Sequence, residues 1–143
     1  MSTTLSRGLA CGLVLCLGSA CASTVVPAED RTVQDEFAAL AWVPATAADV
    51  PGHWRVRSIQ GPAAAVLMDL AYWMDADGRF SGAALFAGPP PAYEVLSGRW
   101  TFLDDGTLQL GEDSAPARVE VAAGWLRLSG EEGSLILERA QIR

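Results

Sequence analysis

From Pro51 onward the hydrophobic pattern repeats every two residues, and tight turn sequences cut the repeats into short segments. Trp54-Arg55-Val56-Arg57 alternates apolar with charged residues, as a strand with one dry face requires. The apolar run Ala64 to Met74 follows, and Asp75-Ala76-Asp77-Gly78 then supplies turn chemistry. Further strands are expected at Arg79 to Phe86, at Tyr93 to Phe102 with a break near Gly98, and around Leu108 and Leu110. The set is completed around Val119 and Val121, at Trp125 to Leu128, and at Leu135 to Arg139. Eight short strands with no room for crossover helices pair antiparallel, up and down. Within about 90 residues such strands close into a small barrel, which removes exposed edges. The expected fold class is therefore all-β, an eight-stranded antiparallel up-and-down barrel over residues 48–143.

Parity assigns the faces. Trp54 and Val56 share one face, as do Met68, Leu70 and Tyr72, and Phe80, Gly82, Ala84 and Phe86. Leu96, Gly98, Trp100 and Phe102 follow, then the pairs Leu108/Leu110, Val119/Val121, Leu126/Leu128 and Leu135/Leu137. Residues of opposite parity are largely Arg55, Arg57, Arg79, Arg99, Arg118, Arg127, Glu120 and Glu138, as a solvated outer face requires. The small inward residues Gly82, Ala84 and Gly98 admit two readings. They leave a ligand cavity beside Tyr72, Phe80 and Trp100, or they make room for those neighbouring rings. On the outer face Leu67, Ala71, Trp73, Ala83 and Leu85 are apolar where polar side chains are expected. That makes them a partner patch, or a surface covered by the N-terminal segment.

The N-terminus has a different texture. Arg7 precedes the apolar run Leu9 to Leu17, too short to span a bilayer but of the length of a signal-peptide core. Gly18-Ser19-Ala20 and then Cys21 follow, so residues 1–20 are expected to be a signal peptide. The arrangement resembles a bacterial lipoprotein signal, which is cleaved before a lipid-bearing Cys. That resemblance implies lipidation of Cys21 and a place in the cell envelope, anchored and facing the periplasm or the exterior. Ala20-Cys21-Ala22 also satisfies the A-x-A cleavage rule, so secretion as a soluble protein is the alternative. Cys11 and Cys16 leave with the signal either way, and no intrachain disulfide is expected. Residues 21–47 read as a tether carrying a short helix, capped by Thr32, stopped by Pro44 and striped by Val33, Phe37 and Leu40. The stripe is expected to pack on the domain, because its polar face is acidic and lacks the Lys/Arg of a membrane-surface helix.

Gly52-His53-Trp54 at the head of the first strand is similar to the G-x-W signature of the lipocalins and the wider calycin group. Asp75-Ala76-Asp77-Gly78-Arg79-Phe80 and Gly98-Arg99-Trp100-Thr101-Phe102 resemble the D-x-D-G-x-F hairpin and G-x-W/Y-x-F strand of bacterial lipocalin-like domains. The resemblance covers roughly residues 48–140 and implies a calycin-type barrel. It also implies a basic side chain from a late strand lying across the signature Trp. Arg139, on the inward parity, is the candidate, so Gly52, Trp54 and Arg139 form the expected barrel-closing motif.

Charge and composition narrow the function. The net charge is −7 and every cation is a scattered Arg, which excludes the concentrated basic stripe of a nucleic-acid binder. His53 is the single His, so no His/Cys cluster can hold zinc or iron. Ser81 and Ser97 lack a base, and Asp75, Asp77, Asp104 and Asp105 occupy turns without the calcium-loop pattern. No enzyme activity, metal or cofactor is expected. The expected function is that of an envelope-anchored, non-catalytic lipocalin-like lipoprotein holding a small hydrophobic ligand in its barrel. The alternative is a periplasmic protein-interaction or inhibitor module using the outer barrel face. The partners that follow are the membrane, through the lipid anchor, and a small apolar ligand or an envelope protein, with a monomer as the expected state.

Overall fold

The computed structural model describes residues 36–141. The leader, Cys21, Thr32 and Val33 lie outside the described residues. Among the described residues nine strands form one sheet: β1 (Val43–Pro44), β2 (Gly52–Gln60), β3 (Leu67–Met74), β4 (Arg79–Phe86), β5 (Ala92–Phe102), β6 (Thr107–Leu110), β7 (Ala117–Ala122), β8 (Trp125–Gly130) and β9 (Gly133–Arg139). Sequential antiparallel pairing runs from β2 through β9, and β9 pairs back onto β2. The eight strands β2–β9 are thereby a closed antiparallel barrel with very little helix. The two-residue β1 pairs with the end of β7, at Val121 and Glu120, beyond the stretch that β6 covers at Ala117 and Arg118.

The turns follow from their residues. At the β3–β4 hairpin Gly78 takes φ +89°, and the Asp77 carboxylate accepts from Arg79 N (3.1 Å) and Arg79 Nε (2.8 Å). Those bonds hold the Asp77 carboxyl below the usual carboxylate range. Asp105 does the same work at the β5–β6 turn, accepting from Thr107 N (3.1 Å) and Thr107 Oγ1 (2.6 Å).

The inward parity set meets in one core, in which Trp54, Val50, Leu108, Val119, Leu126 and Leu137 are almost wholly buried. Met68 is the exception. A bulge between Leu67 and Asp69 leaves Met68 without a Cα partner, so Leu67 turns in against the core and Met68 is 56% exposed. The run expected to start at Ala64 begins as strand only at Leu67, because Pro62–Ala65 forms a 3₁₀ turn. β5 runs through Gly98 without a break.

The N-terminal segment docks on the outside of the barrel. Residues 36–38 are helical, and Phe37 is buried edge-on against Trp125, with ring centroids 4.8 Å apart. Trp42 Nε1 donates to Phe37 O (2.9 Å), and the Arg127 guanidinium lies over the Trp42 ring at 4.4 Å. Nearby, Glu120 is on the outer face as parity requires, yet it is buried rather than solvated. Arg118 (3.1 Å) and Arg127 both bind its carboxylate. Pairing by two guanidinium groups offsets the cost of taking that charge out of water.

Candidate functional site

One end of the barrel is closed. Trp54 and Arg139 are directly opposed on β2 and β9, and the guanidinium carbon lies 4.4 Å from the indole centroid. Arg139 Nη1 donates to Pro51 O (3.1 Å), and Trp54 Nε1 donates to Val50 O (2.8 Å). Gly52 takes φ +144°, and a Cβ there would fall on the Arg139 guanidinium. Gly52, Trp54 and Arg139 therefore occupy one locus, with the glycine needed both for backbone conformation and for space. Trp100 belongs to this end too. Its Nε1 donates to Asp75 O (2.9 Å) and its backbone N to Gly78 O (2.8 Å). The strand motif around Trp100 thus ties down the hairpin motif around Asp75.

The opposite end is open. A recess of about 440 Å³ lies between the 3₁₀ turn after β2, the β6–β7 loop and the β8–β9 turn. Leu67, Leu110, Ala117, Leu128 and Leu135 give it apolar walls, while Glu131 and Glu132 stand at its rim. A second recess of about 370 Å³ opens through the side of the barrel between β5 and the β6–β7 loop. It exists because β5 is long and β6 short: β6 pairs only with Trp100 to Phe102, leaving the start of β5 bonded to β4 alone. Both recesses back onto Tyr72, Leu110, Ala115, Ala117 and Leu128.

Tyr72 is the polar side chain deepest in this region, 8% exposed. Burial alone pushes its phenol above the ordinary 10.0, with no hydrogen-bonded partner contributing. Phe80 lines the side recess and meets Tyr72 edge-on at 6.1 Å. The other residues expected around a cavity lie elsewhere. A Cβ on Gly82 would stand 2.5 Å from Ala71 O and 2.9 Å from Tyr72 Cδ1, so the Tyr72 ring already fills that space. Gly98 is covered in the same way by the Phe80 ring, at 3.1 Å, and borders only an outer groove. Ala84 is packed into the core, and Trp100 is held by the β3–β4 turn. The small residues accommodate rings. The space arises where β6 ends early, flanked by Leu110, Ala115, Ala117 and Leu128.

The outer patch also differs from expectation. Leu67 leaves it through the bulge and lines the open end. Ala71, Trp73, Ala83 and Leu85 remain on the outer face, where Ala71 pairs with Ala83, Ala83 with Val95, and Leu85 with Tyr93. Tyr93 (78%) and Val95 (84%) are more exposed than any residue of the expected patch. Their parity opposite Leu96 is visible in the sequence. Trp73 stacks on His53, with centroids 4.0 Å apart and planes 11° from parallel. Phe37 does not cover this face, because it packs on Trp125 of β8, whereas the patch lies on β3–β5. Among the described residues no group of three or more His, Cys, Asp or Glu side chains is placed to hold a metal ion.

The described residues thus define a closed eight-stranded antiparallel barrel with one sealed and one open apolar end. Comparison with protein-family models, curated proteins and solved structures found no match.

Proposed function

We propose that the chain is an envelope-anchored, non-catalytic, lipocalin-like lipoprotein that holds a small hydrophobic ligand at the open end of its barrel. One observation carries the ligand reading: two apolar recesses share a wall at Tyr72, Leu110, Ala115, Ala117 and Leu128. Concave apolar walls with a few polar groups are what small-molecule sites require. The Gly52, Trp54 and Arg139 cluster supports the calycin-type assignment, since a basic residue across the signature Trp is what that resemblance implies. Titrating the ¹⁵N-labelled domain with decanol tests the ligand reading. Shifts concentrated at Tyr72, Leu110, Ala115, Ala117 and Leu128 support it, and an unchanged spectrum overturns it. The anchor is tested by Cys21→Ser, which should abolish lipid labelling and membrane retention.

A second reading, a protein-interaction or inhibitor module, draws on the exposed Trp73, Tyr93 and Val95, and on the start of β5, which pairs with β4 on one side and leaves its other edge free. A sheet edge with exposed apolar side chains is a template for strand addition.

A further inference from the structure

We propose that the free edge of β5 joins two copies of this chain by antiparallel strand pairing centred on Val95. This rests on the protein-interaction reading above, names its partner, and is independent of the ligand reading. Backbone hydrogen bonds show which groups the edge offers. Trp100 N donates to Gly78 O (2.8 Å) on the β4 side, whereas on the β6 side Gly111 N donates to Arg99 O (2.8 Å) and Leu103 N to Thr107 O (2.8 Å). The register between β4 and β5 runs unbroken from Arg99 to Ala92. Even-numbered residues of β5 therefore bond towards β4, and the N–H and C=O groups of Tyr93, Val95 and Ser97 point away from it. β6 reaches no further along β5 than Trp100, so no strand among the described residues takes those groups up.

The edge is complementary to itself in one register. A two-fold axis keeps the faces of the two strands together, so residues of like parity meet. Centred on Glu94, the pair sets one carboxylate directly against the other, which disfavours it. Centred on Leu96, it calls on Arg99, whose carbonyl Gly111 already occupies. Centred on Val95, Val95 meets Val95, Tyr93 meets Ser97 and Glu94 meets Leu96, and every free N–H of the three residues finds a free C=O on the second copy. The side chains agree. Tyr93 and Val95 are exposed on the face that carries Leu85 and Ala83, so pairing joins the apolar patches of the two copies into one surface. Ala92 to Ser97 also lacks the proline and the bulge by which exposed edges avoid such pairing.

The test uses the chain from Ala22 onward, which contains the whole closed barrel and has no cysteine. Sedimentation at up to about 1 mM, a range that reaches weak association, should show a reversible monomer–dimer equilibrium. Amide exchange should slow with concentration at Tyr93, Val95 and Ser97 and stay constant at Glu94 and Leu96, which β4 already holds. Val95→Pro removes an N–H that serves only the free edge, twice per dimer, and should weaken the dimer about ten-fold or more while keeping the β-sheet circular dichroism. Under oxidation Val95→Cys should cross-link two copies, and Tyr93→Cys should not. Equal cross-linking of the two cysteine variants, or a dimer that Val95→Pro leaves intact, overturns the proposal. So does a monomer at every concentration. If the three amides then exchange freely, the edge is open to a different strand and the protein-interaction reading survives. If they are protected in that monomer, the chain covers its own edge and both fall.

Discussion

The Arg139 guanidinium lies 4.4 Å from the Trp54 indole centroid, and the two residues face each other across β9 and β2. One contact therefore joins the first and last strands of the barrel across one end. Val50 and Trp54 are almost wholly buried beneath it.

Replacing Arg139 with Met keeps the apolar stem but removes the cation and its bond to Pro51 O. A loss of about 1–2 kcal/mol in urea unfolding is expected. Gly52→Ala should cost more, because the backbone strains at φ +144° and the Arg139 guanidinium occupies the Cβ position. Wild-type stability in Arg139→Met would show that the contact is incidental.

Gly82 and Gly130 make a matched pair. An Ala at Gly82 meets the Ala71 carbonyl and the Tyr72 ring, whereas nothing lies within 4 Å of a Cβ at Gly130. Gly82→Ala should destabilise by about 1–3 kcal/mol and Gly130→Ala should stay within about 0.5 kcal/mol of wild type. Equal effects would contradict the packing of Tyr72 over Gly82.

Phe37 anchors the N-terminal segment against Trp125. Phe37→Ala should lower stability by about 2–4 kcal/mol and shift tryptophan emission to the red as Trp125 gains solvent. An unshifted spectrum would mean that the segment does not depend on this contact.

Tyr72 predicts an alkaline limit. Its phenol is raised above 10.0 by burial, so the unfolded chain ionises first as pH rises. The stability it contributes is fully present below pH 10 and is lost as pH climbs through the raised folded value. Urea midpoints measured from about pH 9 to 12 should fall more steeply for wild type than for Tyr72→Phe. Parallel curves would place Tyr72 in water.

Much of this fold is legible in the alternation. Inward parity places Trp54, Leu70, Leu108, Leu126 and Leu137 correctly because each strand has one wet face. Met68 escapes that logic, since Leu67 and Met68 are both apolar and either satisfies the pattern until the bulge chooses. Arg139 is legible because the calycin resemblance implies a basic side chain from a late strand across the signature Trp, and Arg139 has the inward parity to supply it. Trp100 is not: parity points it inward, and only the tertiary bond to Asp75 O shows which end it serves. The open end is hidden for a related reason. It depends on how far β6 runs beside β5, and that length is fixed by pairing between strands rather than by either sequence alone.

The central claim is that the recess opposite the Trp54–Arg139 seal takes up an apolar molecule. Its most direct test is decanol binding by calorimetry to the wild-type domain and to Ala117→Trp. Ala117 borders both recesses, so an indole there fills the space. The account predicts saturable binding to the wild type and none to a variant that retains its β-sheet circular dichroism and cooperative unfolding. Undiminished binding to that folded variant would contradict it.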